Sequence, residues 1–157
     1  MYKTIWYLKF IFSHSQLVCE KLLDQKNMKA IFIHKAKDLR ISEIDSPILN
    51  KHELRIKVER GGICGSDLHY FNHGGFGTNI LKEPMILGHE VSGTILEKSG
   101  EVRGFSVGDT VAISPSQPCG NCSFCAQGYI NHCINMKFYG SAMVFPHIQG
   151  AFRQEIV

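Results

Sequence analysis

Residues 53–59, ELRIKVE, set the pattern of the fold because apolar and charged residues alternate strictly along them. Leu54, Ile56 and Val58 would lie on one face of a strand and the charges on the other, since successive side chains of a strand point to opposite faces. Residues 91–96 and 109–114 repeat this pattern after breaks that contain glycine. The alternation predicts three half-buried strands.

Residues 28–45, MKAIFIHKAKDLRISEID, extend the same reading upstream. They predict two short strands around a polar turn at residues 35–38. Residues 64–71 are expected to form a short helix, residues 74–78 a loop, and residues 152–157 a last strand. Many short strands with glycine-containing turns favour a mainly β fold, a barrel or a sandwich, over a parallel α/β sheet.

The composition narrows the class of protein. The 157 residues are 44% hydrophobic and 20% charged, which suits a domain with a real core and excludes a disordered chain. Seventeen basic and fourteen acidic residues leave a net charge of +3, which is too small to indicate nucleic acid or an anionic membrane as a partner. The sequence contains no apolar run long enough to predict a transmembrane helix.

The first 27 residues differ from the sequence that follows. Residues 1–16 are largely apolar, as in a signal peptide, but Lys9 interrupts the run and no small-residue cleavage site follows. We expect Met28 to begin the domain and residues 1–27 to be a poorly ordered or helical extension, with an over-extended reading frame as one explanation. A signal peptide and a docking helix are the alternatives. Outside a secreted protein the six cysteines are expected to be reduced, which predicts a cytoplasmic location.

Four cysteines stand close together in residues 118–133, PCGNCSFCAQGYINHC, separated by two, two and seven residues. Two-residue spacers let a tight turn bring both thiolates to one ion, and four thiolates complete a closed tetrahedral zinc shell. A closed shell has no position for a substrate, so this zinc is expected to be structural. An iron–sulfur cluster, which would need a three-residue gap and a Cys-Pro, and unliganded or disulfide-bonded thiols are the alternatives. The ligands would be Cys119, Cys122, Cys125 and Cys133.

A second metal site is suggested by GGICGSDLHYF, residues 61–71, together with LGHE, residues 87–90. Thiolate, imidazole and carboxylate are the ligand types of catalytic zinc, and three protein ligands leave a fourth position open. An open zinc can polarise an alcohol oxygen. His89 and Glu90 could both bind it only if the backbone turns there, because neighbours in a strand point to opposite faces. The simpler interpretations are a core residue for Cys64, a turn histidine for His89 and a helix N-cap for Ser66 and Asp67.

Two further side chains suit supporting roles around that candidate zinc. The Asp67 carboxylate can hold a ligating histidine in its correct tautomer. His69 follows Cys64 by five residues, where a proton carrier between the metal site and solvent would be useful.

On these motifs the sequence resembles the zinc-containing medium-chain alcohol and polyol dehydrogenases, specifically their GroES-like N-terminal domain. The resemblance covers residues 28–157 and also rests on PMILGHEVSGTI, residues 84–95, and VGDTVAI, residues 107–113. Within that family, residues 136–152, MKFYGSAMVFPHIQGAF, are most similar to the L-idonate 5-dehydrogenases and then to the sorbitol dehydrogenases. The resemblance implies a partly open GroES-like β-barrel with short helices and a zinc-binding loop lobe.

The resemblance also implies a role for each candidate residue. Cys64, His89 and Glu90 would bind the catalytic zinc, with water in the fourth position, and the four clustered cysteines would bind the structural zinc. The remaining roles would be support of His89 by Asp67, a proton relay through Ser66 and His69, and a substrate pocket lined by Tyr70 and Phe138. The implied cofactors are two zinc ions per chain and, in the full-length enzyme, NAD or NADP.

Two features depart from the family pattern. Ala151 stands where a second glycine is expected, and the G-x-G-x-x-G turn of the family's Rossmann domain is not found in the sequence. Residues 75–77 offer only G-x-G, with Ile80 in place of the third glycine. We therefore expect the first half of an enzyme, one that does not bind the dinucleotide alone.

The expected reaction of the whole enzyme is oxidation of a secondary alcohol in a small polyol or sugar acid to a ketone. It would combine zinc-assisted deprotonation with hydride transfer to the nicotinamide. The alternative is a non-catalytic zinc-binding remnant. Full-length members of the family are homo-oligomers, and neither nucleic acid nor a membrane is an expected partner.

Overall fold

Residues 27–157 are described by a computed structural model, and all the strand pairings among them are antiparallel. The mainly β fold expected from the alternating pattern is confirmed. The expectations for residues 1–26 lie outside the described residues. Asn27, which was assigned to the extension, is the first residue of a strand.

The first sheet is built on a hairpin. Strand β1 (Asn27–Lys35) turns at Ala36 and Lys37 into β2 (Asp38–Asp45), as the polar segment between them predicts. The short strand β6 (Met85–Ile86) pairs with the other edge of β1, which gives the order β2-β1-β6.

The second sheet has four strands in the order β11-β3-β7-β8. The three alternating segments found in the sequence form β3, β7 and the edge strand β8, and one face of each packs inward. Its hydrophobic cluster contains the buried residues Ile56, Val91, Ile95, Ala151 and Ile156. The strands are β3 (Leu54–Gly62), β7 (Glu90–Lys98), β8 (Thr110–Ile113) and β11 (Glu155–Ile156).

Helix α1 (Gly65–His73) follows β3 directly and packs near β1. Its Tyr70 is 1% exposed and belongs to the other hydrophobic cluster, with Ile33, Met85, Leu87 and Ala142. The Tyr70 hydroxyl accepts a hydrogen bond of 2.9 Å from the backbone N–H of Ala142. Tyr70 is therefore a core residue that fixes a neighbouring loop, whereas the family resemblance implied a place in the substrate pocket.

Residues 150–156 join the two sheets. Phe152 N–H donates to the Leu87 carbonyl and the Phe152 carbonyl accepts from Ile31 N–H, each at 2.9 Å. The Gln154 carbonyl accepts a hydrogen bond from Val58 N–H, and the Gln154 N–H donates one to the Lys29 carbonyl. Because most of this segment bonds to loops and to β1, only Glu155–Ile156 forms a strand on β3, and the expected strand over residues 152–157 is too long.

Short elements complete the described chain. The loop expected over residues 74–78 is partly wrong, because β4 (Gly75–Phe76) and β5 (Asn79–Ile80) form a small hairpin there. The lobe, defined here as residues 116–138, begins and ends in the paired strands β9 (Ser116–Gln117) and β10 (Lys137–Phe138). Between these strands lie α2 (Ser123–Ala126) and a 3-10 turn, Ile130–His132.

Along residues 27–157, none of the helices combines the length and the hydrophobicity that crossing a bilayer would require.

Replacing Tyr70 by Phe is expected to lower the free energy of unfolding by about 1 kcal/mol, because the buried Ala142 N–H loses its acceptor. Urea unfolding of the zinc-loaded chain, followed by circular dichroism, measures this difference. Tyr129→Phe is the matched control, since Tyr129 is 56% exposed and should lose almost nothing. Equal stability of the two variants would contradict the structural role of the Tyr70 hydroxyl.

Candidate metal centres

The four cysteines of the lobe converge. The sulfur atoms of Cys119, Cys122, Cys125 and Cys133 all lie within 4.8 Å of one another, and all four thiols are free of disulfides. Four sulfurs at the usual zinc–sulfur distance of about 2.3 Å stand about 3.8 Å apart at the corners of a tetrahedron. The donor set and its spacing fit one tetrahedral zinc ion.

Backbone N–H groups point at these sulfurs. Cys119 N–H lies 3.2 Å from Cys133 Sγ, and the N–H groups of Cys125 and Ile134 lower the pKa of the Cys122 thiol to about 6. Desolvation, with hydrogen bonding to Cys122, raises the pKa of Cys125 to about 12. Four adjacent thiolates repel one another, so a full set of ionised sulfurs calls for a cation between them.

The lobe has little apolar core of its own. Neither α2 nor the 3-10 turn contains a buried residue, whereas the ligand residues Cys122 and Cys133 are themselves buried. Large apolar side chains of the lobe lie in solvent: Phe124, Tyr129, Ile130 and Ile134. The sulfur cluster and the β9–β10 pair are therefore the main interactions that can order this segment.

A second group of ligand atoms converges at the junction of the two sheets. Cys64 Sγ, one imidazole nitrogen of His89 and one carboxylate oxygen of Glu90 lie within 4.8 Å of one another. Cys64 stands at the N-cap position of α1, just after β3, and Glu90 is the first residue of β7. His89 lies outside the strand, so His89 and Glu90 are not held to opposite faces.

Gly88 provides the turn that the neighbouring ligands require. Its φ of +93° is in the left-handed region, and a Cβ there would lie 2.2 Å from Cδ1 of the Phe152 ring. No other residue type meets both conditions at this position. The close approach of Phe152 thus sets the direction in which His89 and Glu90 leave the backbone.

Asp67 connects the two ligand-bearing segments. Its carboxylate is buried and accepts N–H bonds from Cys64 at 2.9 Å and from Gly88 at 3.3 Å. Asp67 Oδ1 lies 3.7 Å from Nδ1 of His89, which is close enough to favour one orientation of the ring. This separation is longer than a hydrogen bond, and the supporting role of Asp67 stays a prediction.

A cleft of about 640 Å³ opens beside this cluster, with His89, Glu90 and Phe138 in its wall. The ring centroids of His89 and Phe138 are 5.5 Å apart, so Phe138 lies beside the candidate ligand group. The sequence gave no reason to select Arg60, which also lines the cleft. The other lining residues are Gly62, Val91, Ser92, Ala112, Ile113 and Pro115.

The two residues of the expected proton relay lie on α1, outside the converging group. Ser66 is half-buried in the first turn of the helix, and His69 is exposed one turn later. The His69 ring packs near His73 and Phe76, with centroids 5.9 Å and 6.1 Å away.

Comparison with known proteins agrees with this fold. Residues 50–157 match the family model described as "Alcohol dehydrogenase GroES-like domain". The chain belongs to this family. It is 48% identical over 104 residues to L-idonate 5-dehydrogenase (NAD(P)(+)) of Escherichia coli, a match of 66% of this chain and 29% of that enzyme.

Other members of the alcohol dehydrogenase family give the same result. Sorbitol dehydrogenase of Bacillus subtilis is 40% identical over 131 residues, which cover 83% of this chain and 36% of that enzyme. The crystal structure of Escherichia coli L-idonate 5-dehydrogenase superposes with a TM-score of 0.77 at 39% identity, over 85% of this chain and 38% of that chain. The chain thus spans about a third of the length of the relatives it matches.

The purified chain is expected to bind close to two zinc ions, because the structure brings together two separate ligand groups. Mild chelation should remove first the ion at Cys64, since three protein ligands leave its shell open.

Elemental analysis of the Cys64→Ser and Cys122→Ser variants should show about one zinc ion in each. Only Cys122→Ser should lower the unfolding temperature strongly, since the lobe has little apolar core. A Cys64→Ser chain that retains two zinc ions would contradict the second site.

Gly62→Ala should weaken the open site alone. A Cβ at position 62 would lie 2.6 Å from Glu90 Oε2, so the flexible carboxylate must move while the backbone stays in place. We expect about tenfold weaker zinc binding at that site, measured by competition with a chelator, and an unchanged unfolding temperature. Gly65→Ala flanks Cys64 on its other side, and its Cβ would meet nothing within 4 Å. Equal loss of affinity in both variants would argue against displacement of Glu90.

Proposed function

We propose that this chain is the zinc-binding, alcohol-binding part of an NAD(P)-dependent dehydrogenase that oxidises a secondary hydroxyl of a small polyol or sugar acid. The proposal rests chiefly on the convergence of Cys64, His89 and Glu90, the last two of which line a cleft. The names of the related enzymes, L-idonate 5-dehydrogenase and sorbitol dehydrogenase, indicate the substrate class.

The residues present fit two zinc ions of different kinds. Four sulfurs would hold one ion in a closed shell, and Cys64, His89 and Glu90 would hold the other with a position left for a substrate oxygen. The second ion, when bound, supplies a Lewis acid that makes an alcohol proton easier to remove. Asp67 would keep the His89 ring in place through its contact with Nδ1.

The proton has a proposed path along α1. Oxidation of a secondary alcohol releases a hydride to the nicotinamide and a proton to a base. Ser66 is half-buried at the start of the helix and would take the proton at Oγ, while the exposed His69 would return it to solvent. Phe138 would cover the substrate on the side of the lobe and limit the entry of water.

The extent of the domain is part of the proposal. We take residues 28–157, with Asn27 as the first residue of β1, to be the domain, because β1 pairs with β6 and bonds to residues 152–154. These residues would supply the zinc half, and the dinucleotide would bind to a part of the enzyme beyond them. We also propose a cytoplasmic location, because the five cysteines among residues 27–157 all belong to the two candidate metal-ligand groups, and a reducing compartment keeps such thiols available.

A chimera tests this function. Residues 50–157 would replace the matching part of Escherichia coli L-idonate 5-dehydrogenase, and NAD(P)H formation with L-idonate and sorbitol would be followed by absorbance. We expect the chimera to turn over. Ser66→Ala should lower kcat about 10²-fold, and removal of the Cys64 thiol should lower it at least as much. Ser123→Ala, an exposed serine in α2, is the matched control.

Two results would oppose the proposal. A chimera that binds two zinc ions and the dinucleotide but shows no turnover would favour a non-catalytic zinc-binding remnant. Turnover by the 157-residue chain alone would contradict its assignment as the zinc half.

A further inference from the structure

We propose that Arg60 selects substrates that carry a carboxylate, so that the dehydrogenase acts on sugar acids in preference to uncharged polyols. The inference rests on the proposed function, because it assigns a second contact to a substrate whose hydroxyl lies at Cys64, His89 and Glu90.

Arg60 shares one face of the sheet with the candidate zinc ligands. In the pairing of β3 with β7, Gly62 lies opposite Glu90 and Arg60 lies opposite Ser92. Residues two apart in a strand point to the same side, and their positions are about 7 Å apart along it. Arg60, Gly62, Glu90 and Ser92 accordingly all line the same cleft.

Arg60 brings a permanent positive charge to this cleft. It is the one lysine or arginine among the lining residues in the described part of the chain. Its Nη1 donates to the Glu59 carbonyl at 2.9 Å, and none of the ion pairs among residues 27–157 involves it. A guanidinium has five N–H donors, so a fork that can bind both oxygens of a carboxylate remains available.

The rest of the wall gives an anion few other partners. His89 and Glu90 belong to the candidate metal group, and Ser92 is neutral. The remaining side chains of the wall are apolar: Val91, Ala112, Ile113, Pro115 and Phe138. The hydroxyls of an uncharged polyol form hydrogen bonds with Arg60 that are little better than those with water, whereas a carboxylate gains charge-assisted hydrogen bonds.

In a six-carbon acid oxidised at carbon 5, the carboxylate lies four carbon–carbon bonds from the reacting centre. In an extended chain these bonds span about 5 Å, somewhat less than the roughly 7 Å between positions 60 and 62, a difference that the long side chain of arginine can cover.

Calorimetric titration of the zinc-loaded chain tests the assignment. L-idonate and L-iditol are a matched pair, since they differ only by a carboxylate in place of a hydroxymethyl group. We expect L-idonate to bind about fivefold more tightly, the factor for a partly exposed charge pair of about 1 kcal/mol, and the preference to shrink in high salt. Arg60→Gln should remove the preference, and Arg60→Lys, which retains the charge without the fork, should restore part of it.

Control variants separate the possible failures. Arg103→Gln loses the same charge at an exposed position outside the cleft and should keep the preference. Equal affinities for the two ligands, or an unchanged preference in Arg60→Gln, would overturn the role of Arg60 while zinc-dependent binding still supports the proposed function. If neither ligand binds, or if Cys64→Ser leaves both affinities unchanged, the proposed function fails and the role of Arg60 fails with it.

Discussion

The close approach of the Phe152 ring to Gly88 is the constraint on which the open metal centre depends. Phe152 packs against both hydrophobic clusters, and its backbone bonds to Leu87 on one side and Ile31 on the other. The ring occupies the space that a side chain at position 88 would need, and a Cβ at Gly61, near the end of β3, would lie only 3.0 Å from it. The two ligand-bearing segments meet because one aromatic ring fixes both of them against the core.

The sequence contains most of the fold and one of the two metal centres in local form. Alternating residues such as Leu54, Ile56 and Val58 specify their strand without reference to distant partners. The lobe is equally local, because its four cysteines lie within 15 residues and the spacing already defines a tetrahedral site. The hairpin of Gly75–Phe76 and Asn79–Ile80 was missed because strands of two residues have no periodicity to detect.

The residue types suggest the candidate open centre, but the grouping of Cys64, His89 and Glu90 around one ion was implied by the family resemblance. Cys64 and His89 are 25 positions apart, and their convergence depends on the register of β3 on β7, which is interrupted by irregularities at residues 55–56 and 58–60. Local spacing does not encode that register. Two side chains show the same limit: the Tyr70 hydroxyl is used inside the core, and Arg60 looks from its sequence like any charge on the outer face of a strand.

The lobe differs from the two sheets in what keeps it folded. Since α2 and the 3-10 turn bury no residue, the lobe can lose its order as a separate cooperative unit while both sheets stay intact. A metal ion held by the four cysteines would then set the free energy of that local opening. Because β10 carries Phe138 into the cleft, an ion that never meets the substrate would control how often the substrate wall is in place. Amide hydrogen exchange in the lobe would thus report on the cleft beside His89 and Glu90.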